Sequence, residues 1–163
     1  MHIRLVRPPD AEAIRAIYNV EVLGSTATFD LRPRTPEEQQ AWMAEHRGPH
    51  AAIVAVDDDD ERVLGFGSLS VFRDRPAYST TVENSVYVDA ASRGAGVGRA
   101  LLEELVVLAS QHGFHAVIAR IGGGNEASIA LHLACGFTMV GVEQEVGRKF
   151  NRWLDVSVLQ RLL

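Results

Sequence analysis

Asn84-Ser85-Val86-Tyr87-Val88-Asp89-Ala90-Ala91-Ser92-Arg93-Gly94-Ala95-Gly96-Val97-Gly98-Arg99 reads as a strand, a glycine-rich turn and the start of a helix. Ser85 to Val88 carry the β-branched and aromatic side chains that suit a buried strand. Beyond the turn, Leu101, Leu102, Leu105, Leu108 and Ala109 recur with the 3.6-residue period of a helix that buries one face. Between strand and helix, Gly94, Gly96 and Gly98 stand at alternate positions, flanked by Arg93 and Arg99. Glycine lets the backbone take positive φ and approach a ligand closely. The first N–H groups of the following helix have no internal partner, and the helix dipole adds partial positive charge there. Such a turn is a cradle for an anion, above all a phosphate.

Two common phosphate loops do not fit. A P-loop needs Lys then Ser or Thr after its last glycine, where Arg99 and Ala100 stand here. A dinucleotide fingerprint spaces its glycines as G-x-G-x-x-G and places Asp or Glu about 20 residues on. Here the spacing is G-x-G-x-G, and His115 and Val117 occupy that later position. What remains is Arg-x-x-Gly-x-Gly between a strand and a helix, Arg93 to Gly98. A tight turn with no ligand is the alternative.

The chain of 163 residues fits one domain and can bury a sizeable core. Its 47% hydrophobic and 23% charged residues are ordinary for a globular protein. A net charge of −5 argues against a general nucleic-acid binder, whose footprint is basic. The single cysteine, Cys135, excludes an internal disulfide and a cysteine-rich metal site, and reads as a small buried hydrophobe. There is no apolar run of about 18 residues or more, so no membrane span is expected. Met1-His2-Ile3-Arg4 leads into a strand without signal-peptide form, which makes the cytoplasm the default location.

Along the chain, Ile3 to Val6 read as a strand, and Asp10 after Pro8-Pro9 is offered as the N-cap of a helix carrying Ile14, Ile17 and Tyr18. Thr35-Pro36-Glu37-Glu38 is a capping box opening a helix through Trp42 towards His46. Ala51–Val56 and Val63–Val71 are strands around the acidic turn Asp57 to Asp60, whose consecutive carboxylates lack calcium-loop spacing. Gly65 and Gly67 suggest a bend or bulge. An irregular segment, Phe72 to Tyr78, precedes the strand Thr80–Val88. Gly113 ends the loop helix, Ala116–Ile121 is a parallel-type strand, and Asn125 caps a helix that Gly136 ends. Thr138–Val146 and Leu154–Leu159 are the last strands, joined by a charged connection from Gly147 to Arg152. No linker or repeat divides this, which implies one α/β domain with a mixed sheet.

The Arg-x-x-Gly-x-Gly loop resembles the acyl-coenzyme A pyrophosphate loop of the GNAT acetyltransferase superfamily. Other pieces are more specific: Ile17-Tyr18-Asn19, Thr81-Val82-Glu83-Asn84-Ser85-Val86-Tyr87-Val88, Asn125-Glu126-Ala127-Ser128-Ile129, Leu131-His132, Gly136-Phe137, and Val146 to Asp155 with Gly147-Arg148-Lys149-Phe150-Asn151-Arg152-Trp153-Leu154. Spanning nearly the whole chain, they are similar to the phosphinothricin and methionine sulfone or sulfoximine N-acetyltransferases of that superfamily.

The resemblance implies the GNAT fold: a single domain spanning 1–163 with a mixed, mostly antiparallel twisted central sheet flanked by helices. It also implies acetyl-coenzyme A as co-substrate, no metal, a small amino acid acetylated on its α-amino group, and a homodimer. In its terms Val86, Tyr87 and Val88 pair with the pantetheine arm. Arg93, Gly94, Ala95, Gly96, Val97, Gly98 and Arg99 hold the pyrophosphate. Asn125 and the neighbouring Ser128 bind the coenzyme near its thiol. Glu83 is the general base and His132 a second catalytic group. Arg73, Arg75 and Tyr78 bind the acceptor's carboxylate and oxyanion. By its place after Thr26-Ala27-Thr28, Phe29 either walls the amino-acid pocket or covers the core.

Physical chemistry supports part of this. An α-ammonium must lose a proton before its nitrogen can attack a thioester, and a carboxylate with a raised pKa serves. Glu83 lies in an otherwise apolar strand, where desolvation raises that pKa; the alternative is an outward-facing residue. His132 among Ala130, Leu131 and Leu133 is equally a packed or surface histidine. Arg73 and Arg75, two apart, share a side if extended and suit bidentate carboxylate binding, or are simply solvated. Gly122-Gly123-Gly124 and Phe72 to Tyr78 sit where the family varies, so acceptor identity transfers least. The rival functions are acetylation of a protein N-terminus, a lysine or another small amine, and a coenzyme-binding module without turnover.

Overall fold

A computed structural model describes residues 1–163. The elements in order are β1 (His2–Leu5), α1 (Ala11–Gly24), α2 (Pro36–Glu45), β2 (Ala52–Val56), β3 (Val63–Val71), β4 (Thr81–Val88), α3 (Val97–Gln111), β5 (Ala116–Gly122), α4 (Glu126–Ala134), β6 (Thr138–Lys149) and β7 (Arg152–Leu162). The strands form one seven-stranded sheet in the order β1-β2-β3-β4-β5-β7-β6. Only β4 and β5 run parallel; the other pairs are antiparallel. No helix is long and apolar enough to cross a membrane.

The two faces of the sheet bury different sets. Val82, with Val86 and Val88 at its margin, packs on Leu101, Leu102 and Leu105 of α3. Phe66, Val54 and Val56, with Tyr87 at their margin, pack on Ile14, Ile17, Tyr18 and Met43 of α1 and α2. The period of two along β4 therefore sends Val82, Asn84, Val86 and Val88 to the α3 face and Glu83, Ser85 and Tyr87 to the α1–α2 face. A β-carbon on Gly65 would stand 2.8 Å from the Tyr87 carbonyl, and one on Gly67 2.9 Å from Leu105. Glycine at both positions lets α3 lie close to the sheet.

Several local expectations hold. Thr35 accepts from the Glu38 N–H while Glu38 accepts from the Thr35 N–H, a complete capping box. Asn125 caps α4 by accepting from the Ser128 N–H at 3.1 Å. Gly113 and Gly136 follow their helices with φ of 80° and 81°. Cys135 is buried and free.

Others need correction. Asp10 caps no helix with its side chain; it accepts from the Arg7 N–H and from both Arg4 Nη atoms, closing a short turn before α1. Of the two strand glycines, only Gly65 adjoins a bulge, where the β2–β3 register shifts between Ala55 and Val56; Gly67 is in regular register. The last connection is not a charged loop from Gly147 to Arg152. β6 continues to Lys149 and turns at Phe150 and Asn151, both left-handed at φ 50° and 58°. A two-residue turn of that hand matches the twist of the strands it joins.

Candidate active site

The site arises where β4 and β5 part. They pair only from Thr81–Asn84 with Ala116–Ala119. Beyond Asn84, β5 keeps β7 as its partner through Gly122, while Ser85 to Val88 keep only β3. One edge of β4 therefore exposes backbone donors and acceptors to a wedge-shaped cleft. The cleft encloses about 470 Å³ and is lined by Val86, Tyr87, Val88, Arg93, Gly94, Gly96, Val97, Gly98, Arg99, Asn125 and Ser128, with Glu21 and Ala27 opposite. Of the residues predicted for the coenzyme, only Ala95 is not among those facing it.

At its head stands the glycine-rich turn. Gly94 and Gly96 have φ of 77° and 82°, open only to glycine without strain, and Gly96 is the N-cap of α3. The turn aims the free N–H groups of the first turn of α3 into the cleft. Gly98 serves packing: a β-carbon there would meet Leu131 of α4 at 3.3 Å. Arg93 pairs with Glu21 at the end of α1, and Arg99 with Glu103 one turn along α3 at 2.8 Å.

At its base lies a recess of about 60 Å³ shared by Asn84, Asn125, Ser128, Arg120 and His132. His132 is buried, and burial pushes its pKa down. Its Nδ1 lies 2.7 Å from the Ser128 carbonyl, so Nδ1 carries the hydrogen and donates it. Its Nε2 then accepts from Asn84 Nδ2 at 3.0 Å. Asn84 Oδ1 is buried without a partner.

Glu83 lines neither the cleft nor this recess. It points from the other face of β4, half-buried, with no hydrogen bond or ion pair in the chain. Burial raises its pKa; Arg120 opposes the rise and Glu143, paired with Arg120, adds to it. Directly across β3 stands Ser70, whose hydroxyl meets His46 of the segment after α2. Phe29 closes this side. Its ring lies between Gly122 and Gly147, where β-carbons would come within 2.5 Å and 2.2 Å of it. Lys149 Nζ donates to the Thr28 carbonyl at 2.8 Å and fixes the loop that carries Phe29. Arg73, Arg75 and Tyr78 gather separately in a surface recess just beyond β3, with the Arg73 guanidinium 5.3 Å from the Tyr78 ring centre.

Glu21, Asn84, Ser70 and His46 were not singled out from sequence. Asn84 and Ser70 had a findable signal, since each is a polar residue set among apolar ones in its strand. Glu21 and His46 had none, because their partners lie 72 and 24 residues away. No group of His, Cys, Asp or Glu side chains is arranged to hold a metal ion. The cleft fits a long coenzyme with a pyrophosphate: an anion cradle at one end, unpaired strand edge along the middle, polar groups at the base.

The family model described as an acetyltransferase (GNAT) domain matches residues 3–158. An L-methionine sulfoximine/L-methionine sulfone acetyltransferase of Pseudomonas paraeruginosa is 41% identical, over 93% of this chain and 88% of its own. A GNAT superfamily phosphinothricin acetyltransferase from Sinorhizobium meliloti, solved in complex with AcCoA, superposes with a TM-score of 0.96 at 38% identity, covering 99% of this chain and 88% of that one. A ribosomal-protein-alanine N-acetyltransferase from Brucella melitensis superposes with a TM-score of 0.95 at 36% identity, covering 100% of both chains. A strand pair that parts over a glycine-rich helix start, in a chain matched almost end to end, makes this protein an acyltransferase belonging to the GNAT acetyltransferase family.

Proposed function

We propose that the chain, working as one domain, transfers an acetyl group from acetyl-coenzyme A to the α-amino group of a small amino acid of the phosphinothricin or methionine sulfone/sulfoximine kind. The observation that carries this is Glu83: a half-buried carboxylate with no partner in the chain, on the strand whose free edge floors the coenzyme cleft. The names of the relatives point to the same acceptor class.

Bound acetyl-coenzyme A supplies the thioester whose carbonyl carbon the amine attacks. The residues Arg93 to Arg99, Ala95 included, hold its pyrophosphate. Val86, Tyr87 and Val88 receive the pantetheine arm as a further strand would be received, and Asn125 and Ser128 meet its thiol end. Glu83 removes a proton from the acceptor's ammonium, directly or through one water, which suits a carboxyl with a raised pKa. N–H groups on the β4 edge stabilise the oxyanion of the tetrahedral intermediate. His132 acts at the thiol end through Asn84, which it holds. Arg73, Arg75 and Tyr78 take the acceptor's carboxylate, and Phe29 walls the pocket.

The chain pairs with a second copy through β6 and β7 and works in the cytoplasm, where a free cysteine stays reduced. A second reading, acetylation of a protein N-terminus, is favoured by the Brucella neighbour. The deciding assay follows thiol release from acetyl-coenzyme A against free phosphinothricin, methionine sulfone and methionine sulfoximine, and against peptides beginning with alanine. Turnover on the free amino acids is expected. Turnover on the peptides alone replaces this reading with the second, and coenzyme binding without any turnover overturns both.

A further inference from the structure

The face of β4 that carries Glu83 holds a second polar group that neither the coenzyme cleft nor the arginine recess uses. Ser70 of β3 stands opposite Glu83 in the antiparallel register. Side chains so paired lie on one face, with β-carbons about 5 Å apart. Ser70 is half-buried, and its only hydrogen-bond partner is His46 Nε2 at 3.0 Å.

His46 Nδ1 lies 2.7 Å from the Trp42 carbonyl oxygen, which can only accept, so Nδ1 carries the hydrogen. The ring is stacked on the Trp42 indole, with centres 4.1 Å apart, which fixes its plane. Burial favours the neutral ring, so Nε2 is bare. The Ser70 hydroxyl must therefore donate to Nε2, and its oxygen is left with lone pairs only. Trp42 and His46 thus turn a serine that could either donate or accept into an acceptor, one residue-width from Glu83.

We infer that Ser70 binds the acceptor's amine: its oxygen accepts one amine N–H while Glu83 takes another proton, and His46 is the positioning residue that fixes this polarity. Two acceptors side by side suit an ammonium and reject the acceptor's carboxylate, which the arginines receive. The proton balance closes within the site. One N–H bond breaks, its proton goes to the Glu83 carboxylate, and its electron pair stays on nitrogen to form the C–N bond; as the tetrahedral intermediate collapses the C–S bond breaks, and the departing thiolate takes the second proton that nitrogen loses. A remaining N–H stays on Ser70, which turns that new lone pair away from the sheet hydrogen bond and towards the thioester. This assignment rests on the amino-acid acetyltransferase reading.

Ser70→Ala, Ser70→Thr, His46→Phe and the Ser70→Ala/His46→Phe pair test it, with wild type on the most active amino acid of the panel. Ser70→Ala and His46→Phe should each lower kcat about tenfold, with KM for acetyl-coenzyme A and the calorimetric Kd of coenzyme A unchanged. Ser70→Thr, which keeps the hydroxyl, should recover most of the loss. The double variant should be no slower than the worse single one, because the two act as a unit. In ¹⁵N spectra of the unliganded protein, His46 should show the Nδ1–H tautomer, with Nε2 shifting in Ser70→Ala. An unchanged kcat, or losses that simply multiply, overturns the inference while leaving the acetyltransferase reading in place. Wild type that acetylates no amino acid overturns the reading itself.

Discussion

Glu21, at the end of α1, is ion-paired with Arg93, at the start of the loop before α3, across the mouth of the cleft proposed for the coenzyme. Glu21 is largely buried and is held from behind by the Ser25 hydroxyl at 2.6 Å, whereas the Arg93 side chain is 55% exposed. The glutamate is thus the fixed partner and the arginine the mobile one. A pyrophosphate entering the cradle competes with Glu21 for that guanidinium. Half-exposed pairs contribute up to about 1 kcal/mol, so Glu21→Gln should tighten coenzyme A binding up to about fivefold. Arg93→Ala should weaken it. Isothermal titration with coenzyme A measures both, and the Glu21→Gln gain should shrink as salt is raised.

Asp10 is the second buried acid, and its work is structural. Burial alone would raise its pKa, but hydrogen bonds from Arg4 and the Arg7 N–H outweigh that and hold it below the ordinary value. Because the folded pKa is depressed, the stabilisation is present above the unfolded value of about 3.9 and lost as pH falls through the folded one. Asp10→Ala leaves Arg4, only 14% exposed, without its partner. It should cost about 3 kcal/mol in urea unfolding at pH 7. Asp10→Asn should be less stable than wild type at pH 7, and the gap should close as the pH is lowered below about 4.

The comparison of these two acids shows what was legible in the sequence. The cradle from Arg93 to Arg99 was readable because glycine spacing, strand composition and helix period act within about 15 residues. Thr35 and Asn125 were readable as caps for the same reason. Asp10 stands at the N-cap position of α1, yet Arg4, six residues back, and the Arg7 N–H hold its carboxylate instead of the first turn of α1. Phe150-Asn151 is not among the glycine-containing pairs that mark a tight hairpin, so the β6–β7 turn read as a loop. The parting of β4 and β5 left no local trace. It follows from β5 keeping its register with β7 while leaving β4, a relation between three strands. Glu83, Asn84 and Ser70 were visible as polar residues set among apolar ones, but the faces they serve follow from the packing of α1, α2 and α3.

β6 is one of the two edge strands of the sheet, and it exposes Val140, Val142 and Val146; Phe150 of the β6–β7 turn and Trp153 of β7 are exposed too. Trp153 is 60% exposed, with the Arg148 guanidinium 5.2 Å from its ring centre. An exposed apolar edge of this kind suits the proposed pairing with a second copy. Sedimentation velocity should show a dimer at micromolar concentration, and Trp153→Glu should shift it to monomer while circular dichroism stays unchanged.

Phe29 is wedged between two glycines on different strands, Gly122 of β5 and Gly147 of β6. A methyl group at Gly147 would stand 2.2 Å from its Cε2, too close to be absorbed without moving the ring. Neither glycine has positive φ, so the effect of substitution is steric. Gly147→Ala should push Phe29 out of its place as the proposed wall of the acceptor pocket. KM for the amino acid should rise about tenfold, the size of a displaced pocket wall, with KM for acetyl-coenzyme A unchanged. The Phe29→Ala variant should show the same pattern, and Gly147→Ala on that background should add little, since the clash is gone.

Glu83 makes a trade between activity and stability that Glu83→Gln should expose. Its pKa is raised by burial, so its ionised form is less favourable in the folded chain than in the unfolded one. Between the two pKa values the folded state binds more protons, and stability falls as pH rises through that window. Glutamine imitates the neutral acid at every pH. Glu83→Gln should therefore melt higher than wild type at neutral pH, and the difference should vanish below the ordinary carboxyl range near pH 4. The same variant removes the proposed base, and kcat should drop by about 10² to 10⁴. A Glu83→Gln variant that is both inactive and more stable identifies a carboxylate kept charged for chemistry; one that is inactive and less stable identifies a structural residue instead.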